Sequence, residues 1–265
     1  MGAMKAYFLA SLLAVAALGA AAASAAPSAG PAWLDSGPRL RDASGASTNW
    51  AGYAVTGPQG SVSDAKASWI VPAVSCAAGE TSYSSFWVGI DGFASRTVEQ
   101  TGSESDCRNG VATYFAWFEF YPKFPTNSRL AVHPGDRMSA EVSFAAKGFT
   151  LSIKDVTTGL SDSASGKVNG AARSSAEWIA EAPSSSGGVL PLANFGSGQF
   201  GLSYTSVAST SYATVSGHAG PIGSFGAAVS SIDMVTSGGA LVKAQTSALS
   251  ADGTSFTVQW KARGP

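Results

Sequence analysis

The chain has 265 residues, 16 of them Lys or Arg and 17 Asp or Glu, for a formal net charge of −1. Only 12% of residues are charged and no basic cluster occurs, so nothing is available to neutralise phosphates and nucleic acid is excluded as a partner. With two histidines and two cysteines there is little material for a metal site, and neither a metal nor a cofactor is expected.

At the N-terminus, Lys5, an apolar run from Leu9 to Ala23 and the small residues Ala23-Ser24-Ala25 read as a secretory signal over residues 1–25. Residues 26–47 are rich in Pro, Gly and Ser and read as a flexible lead or short pro-segment. Residues 48–265 form one domain, because no internal linker interrupts them. No later stretch approaches the roughly 18 apolar residues of a membrane helix. The mature chain is therefore expected to be secreted, to lie outside the membrane and to be a monomer.

Period-two alternation dominates the domain, and Gly, Ser and Pro punctuate it at short intervals. Strands are expected over 49–56, 65–71, 84–90, 111–121, 137–145, 149–156, 175–182, 199–205, 228–236 and 255–261. The turns Lys147-Gly148, Thr158-Gly159 and Asp252-Gly253 separate neighbouring runs. Such a pattern specifies an all-β fold of two packed antiparallel sheets. In an exported chain, Cys76 and Cys107 are expected to form a disulfide; metal binding or a nucleophilic thiol would need a histidine nearby in sequence, and there is none.

Two segments carry polar residues in β-like surroundings: Val98-Glu99-Gln100-Thr101-Gly102 and Ala176-Glu177-Trp178-Ile179-Ala180-Glu181. Side chains alternate across a strand, so Glu177, Ile179 and Glu181 share one face while Trp178, Ala180 and Ala182 share the other. In the run ending at Tyr121, Phe115, Trp117, Glu119 and Tyr121 share a face that suits the wall of a groove. Tyr114, Ala116, Phe118 and Phe120 suit the core.

Several chemistries lack their residues. The zinc-protease pattern H-E-x-x-H is absent, as is the serine-hydrolase turn G-x-S-x-G, and His133 and His218 each sit beside Pro or Gly in expected turns. Asp35-Ser36-Gly37 occurs once and in the lead, whereas an aspartic dyad needs two carboxylates held together.

Five segments, in order, resemble the glutamic peptidases of the G1 class, also called eqolisins. They are Asn49-Trp50-Ala51-Gly52, Trp87-Val88-Gly89-Ile90-Asp91-Gly92, Glu99-Gln100-Thr101-Gly102, the segment Ala116-Trp117-Phe118-Glu119-Phe120-Tyr121-Pro122, and Ala176 to Glu181. The resemblance implies a bent β-sandwich of lectin-like, concanavalin-like architecture and a secreted acid endopeptidase acting on proteins or peptides. It also implies a catalytic pair, mapped onto Gln100 and Glu181, with Trp50, Trp87, Asp91, Trp117, Glu119 and Tyr121 lining or supporting the groove. Phe115 stands where the family can carry an acidic residue. The signal peptide and alanine-rich composition point to a prokaryotic member.

The chemistry of such a pair is coherent. A carboxylate of reference pKa about 4.3 stays partly ionised in mild acid, where a histidine of pKa about 6.5 is fully protonated and no longer a base. Glu181 could take a proton from the attacking water and pass it to the leaving amine. An amide does not titrate, so Gln100 could hold that water and donate to the oxyanion, a contact worth about 3 to 4 kcal/mol in the transition state. Two other classes compete: a non-catalytic lectin-like carbohydrate-binding module, and a glycoside hydrolase whose Glu119 and Glu181 would face each other about 5 to 10 Å apart with Gln100 elsewhere.

Overall fold

The computed structural model describes residues 1–2 and 45–264. The expected signal peptide after its first two residues, and all of the lead except its last three residues, fall outside them. The first ten strands are β1 (Trp50–Thr56), β2 (Val62–Ile70), β3 (Ser85–Ile90), β4 (Val98–Arg108), β5 (Val111–Tyr121), β6 (Thr126–Asn127), β7 (Arg137–Ala145), β8 (Gly148–Asp155), β9 (Ser161–Gly166) and β10 (Ser175–Glu181). Two large antiparallel sheets result. The first runs Val229–Ile232, β1, β10, β3, β4, β5, β6. The second runs Met234–Val235, Val242–Thr246, Phe256–Trp260, Ser197–Phe200, β2, β7, β8, β9, with the hairpin Tyr212–Val215 and His218–Pro221 attached to β2.

The sheets pack as a sandwich around one apolar core. From the first sheet come Tyr53, Val55, Phe86, Val88, Phe118, Trp178 and Ala180; from the second come Trp69, Met138, Val142, Leu151, Phe200 and Phe256. Phe200 stacks on Phe256 with ring centroids 4.8 Å apart, and Phe86 meets Phe195 edge to face at 5.1 Å. The alternation expected in β5 and β10 holds, since Ala116, Phe118, Trp178, Ala180 and Ala182 all enter this core. Trp69 and Trp178 keep their indole N–H groups satisfied there, donating to Ser103 Oγ at 2.9 Å and to the Lys66 carbonyl at 2.7 Å. The Cys76–Cys107 disulfide forms as expected, with the Cα atoms 5.5 Å apart, and ties the end of β4 to the loop after β2.

Some elements depart from expectation. Strand β4, Val98–Arg108, was not among the expected strands; it carries the β-like segment Val98 to Gly102 on through Ser103-Glu104-Ser105-Asp106. Its polar groups are accommodated by neighbours on both faces, including Thr101 Oγ1 donating to the Trp117 carbonyl at 2.7 Å. The strand expected over 199–205 stops at Phe200. Gly201 has φ 96°, and a Cβ there would lie 2.0 Å from the Thr254 carbonyl oxygen, so the chain turns into a short helix, Leu202–Thr205. The run expected over 228–236 is shared between sheets, Val229–Ile232 in the first and Met234–Val235 in the second. His218 opens a strand rather than occupying a turn.

Candidate active site

The site lies on the face of the first sheet turned away from the sandwich core. Neighbouring residues in an antiparallel sheet point the same way, so the register reads as rows. One row is Ala54, Glu177, Gly89, Gln100 and Glu119; the next is Gly52, Ile179, Trp87, Gly102 and Trp117. A third row holds Trp50, Glu181, Ser85, Glu104 and Phe115. Trp50, Trp87, Phe115, Trp117 and Ile179 form an apolar cluster on this face, with Tyr121 packed against it. Trp50 meets Trp87 edge to face at 4.9 Å. The aromatic wall expected from β5 is therefore present.

Within the first row, Gln100 Nε2 donates to Glu119 Oε2 at 2.7 Å. On its other side stands Gly89, and beyond that Glu177. A Cβ on residue 89 would meet Gln100 Cβ at 3.1 Å and Trp87 Cζ3 at 3.0 Å. The missing side chain thus leaves a gap between an amide and a carboxyl, with the Trp87 ring beside it. Strand spacing places Glu177 and Gln100 about 10 Å apart at Cα, close enough for both side chains to reach one small molecule between them.

Glu177 is fully buried. Burial raises its pKa well above the carboxylate range; the Ser175 hydroxyl and the Phe93 amide partly offset this, while the negative charges of Asp91 and Glu99 add to it. Asp91 sits at the end of β3 with φ 75°, its carboxylate accepting from the amides of Arg173 at 2.6 Å and Ser174 at 2.9 Å. It supports the turn that aligns β3 with β10. Glu99 points to the opposite side of the sheet from Gln100, and burial pushes its pKa up to about 9.

Glu181 has different surroundings. Asn49 Nδ2 donates to Glu181 Oε1 at 3.1 Å, and Trp87 Nε1 donates to Glu181 Oε2 at 2.8 Å. Glu181 lies on the same face, two strands from Gln100 and four residues further along β10 than Glu177, which is in register with Gln100. The Trp87 indole reaches toward both, its N–H on Glu181 and its Cζ3 edge over Gly89 beside Gln100. The glycosidase geometry is not met. Glu119 is bound to Gln100 rather than facing Glu181 across a groove. His133 and His218 lie elsewhere, the one 3.3 Å from Asp136 and the other against Phe225.

The Peptidase A4 family model matches residues 48–260. The chain belongs to the Peptidase A4 family. It is 30% identical over 178 residues to aspergillopepsin-2 of Aspergillus niger, covering 58% of this chain and 62% of that protein. It is 33% identical over 141 residues to scytalidopepsin B of Scytalidium lignicola, covering 51% of each. The chain therefore spans between half and two thirds of the length of these relatives. Among solved structures, aspergilloglutamic peptidase from Aspergillus niger matches with a TM-score of 0.57 and 29% identity over 68% of this chain and 99% of that one. Scytalido-glutamic peptidase with a transition state analog inhibitor has a TM-score of 0.64 over 81% of this chain and 98% of that one; at 22% identity, this likeness concerns the fold.

As a member of the glutamic peptidase family, the chain keeps all five ordered motifs on one sheet. Sequence reasoning placed Glu177 and Glu181 on one face and took Glu181 from the family resemblance; that Glu177 is in register with Gln100 across Gly89 was not read from it. The available signal is Gly89 in Trp87-Val88-Gly89-Ile90-Asp91, a glycine on the site face of a strand, where close approach of a neighbouring group is a common reason for one.

Proposed function

We propose that this Peptidase A4 family member is a secreted acid endopeptidase whose reacting pair is Gln100 and Glu181. The observation that carries the reading is the Trp87 indole, whose N–H holds Glu181 at 2.8 Å while its Cζ3 edge borders the side-chain-free position Gly89 beside Gln100. Gln100 is oriented by its bond to Glu119, and its amide stabilises the developing oxyanion. In its ionised form Glu181 takes a proton from the attacking water; once protonated, it hands that proton to the leaving nitrogen.

Glu181 is held in place by two N–H donors, the Trp87 indole that borders the gap and Asn49 at the entrance to β1. Trp50, Trp117 and Tyr121 supply apolar contact for an extended chain, and Asp91 holds the turn beside Glu177. Peptide substrates are supported by a member of the eqolisin family captured with the tripeptide Ala-Ile-His. A monomeric enzyme, and a prokaryotic branch of a family whose named relatives here are fungal, complete the proposal.

The test is a denatured-protein digest across the acid range with Glu181→Gln, Gln100→Ala and Glu177→Gln, each checked for fold by circular dichroism. Loss of cleavage in the first two, with cleavage retained in the third, is expected. Full activity in folded Glu181→Gln together with none in Glu177→Gln would move the role to Glu177.

A further inference from the structure

The sequence contains two Asn-Gly pairs, Asn109-Gly110 and Asn169-Gly170. In such a pair the nitrogen of the glycine, with no Cβ beside it, is free to close on the asparagine side chain. The fold treats the two pairs differently. We propose that Asn169 is a site of spontaneous modification, converted to aspartate and isoaspartate once the protein leaves acid, and that Asn109 is held against the same change. This chemistry belongs to the chain itself and does not rest on the peptidase reading.

Asn109-Gly110 is the tip of the hairpin between β4 and β5, where Arg108 pairs with Val111. The φ values are 52° and 81°, both left-handed, as a tight two-residue hairpin turn requires. The Gly110 amide donates to the Glu80 carbonyl at 2.7 Å, and the Asn109 amide to Thr81 Oγ1 at 3.2 Å. A Cβ on residue 110 would lie 2.9 Å from the Gly79 nitrogen and 3.0 Å from the Ala77 carbonyl oxygen. Asn109 is exposed, so access does not protect it. What protects it is a glycine nitrogen already committed as a donor in a crowded turn, beside the Cys76–Cys107 disulfide.

Asn169-Gly170 lies in the connector between β9 and β10, and both residues are exposed. Among the described residues nothing accepts a hydrogen bond from the Gly170 amide, and a Cβ on residue 170 would have nothing within 4 Å. The connector is pinned only further on, where the Ala172 carbonyl accepts the Gly60 amide at 2.8 Å and the Arg173 carbonyl accepts the Val62 amide at 3.0 Å. The turn at Asn169 can therefore adopt the geometry of ring closure without breaking a hydrogen bond or unfolding a strand.

Hydroxide removes the Gly170 amide proton, the nitrogen bonds to Asn169 Cγ, and the Cγ–Nδ2 bond breaks, Nδ2 leaving as ammonia with a proton from water. Water then opens the resulting succinimide. Attack at the side-chain carbonyl gives aspartate, and attack at the main-chain carbonyl gives isoaspartate; nothing is oxidised or reduced. Either product replaces a neutral amide by a carboxylate and lowers the formal net charge by one from −1. Because the nitrogen must first lose a proton, the rate rises with pH and the site is quiet in acid.

Incubation of the folded protein at pH 5 and at pH 9, followed by tryptic digestion and mass spectrometry, tests this. Cleavage after Arg108, Lys123, Lys167 and Arg173 puts the two pairs in separate peptides, 109–123 and 168–173. At pH 9 the 168–173 peptide is expected to gain the mass of NH2 replaced by OH about tenfold or more faster than 109–123, with neither changing at pH 5. In the urea-unfolded chain the two rates should converge, and Asn169→Gln should remove the signal from 168–173. An unchanged 168–173 peptide at pH 9, equal or faster conversion of 109–123 in the folded protein, or a rate ratio that survives unfolding would overturn the proposal.

Discussion

Glu177 and Glu181 lie on one strand, on one face, four residues apart, and both are fully buried. Their surroundings differ. Glu181 receives an N–H on each oxygen, from Asn49 and Trp87. Glu177 has the Ser175 hydroxyl and the Phe93 amide, which only partly offset the burial that raises its pKa well above the carboxylate range. The comparison teaches that strand parity assigns a face, while the partners around each carboxyl set it apart from its neighbour on that face.

The sharpest way to break this contrast is by activity. Glu181→Gln should lower kcat by about three orders of magnitude or more, and Gln100→Ala by about two to three, each in a folded protein. Steady-state cleavage of a peptide at acid pH measures both. Equal losses in Glu177→Gln and Glu181→Gln, each without destabilisation, would remove the distinction between the two ends of the strand.

Stability against pH comes next. Glu99, behind the Glu177 end of the face, has a folded pKa raised to about 9 from a reference of 4.5, so the folded state holds a proton that the unfolded state has released. Its neutral form is fully accommodated below about pH 4.5, and stability falls as pH rises toward about 9. Glu104 and Glu177 shift in the same direction. Thermal melts from pH 4 to 9 should show Tm falling by roughly 10 °C or more, and Glu99→Gln should flatten the slope. A Tm that rises with pH would contradict the burial of these acids.

Glu181→Ala comes third. It leaves the Asn49 and Trp87 N–H groups unmet and should cost about 1 to 3 kcal/mol for each, seen in urea unfolding, while Glu181→Gln keeps one acceptor and loses less. The smallest effect is expected from Gly89→Ala. Its Cβ would press on Gln100 and Trp87 at 3.1 and 3.0 Å, lowering kcat by about tenfold with little change in Tm. A drop in Tm without a drop in kcat would mean that Gly89 serves packing rather than the gap.

Much of this was legible in advance. Alternation placed β5 and β10 with the right faces inward, because each side of a strand meets a single environment and apolar residues sort accordingly. The full length of β4 was not, since its Ser, Glu and Asp residues look like loop until partners on β3 and β5 receive them. The passage of the chain from one sheet to the other at Asp233 was hidden too, because strand pattern carries no information on which sheet a strand joins.

The sequence by itself determined the fold class, the disulfide, the family motifs and the face on which the chemistry lies, because each depends on residue type and short-range period. Only the tertiary structure decided which glutamate shares a row with Gln100. That pairing is set by how β10 and β4 each register against β3, while the Trp87 ring borders the gap and holds Glu181 through its N–H. Residues distant along the chain meet through β3, and no local pattern in either segment encodes the alignment of the other.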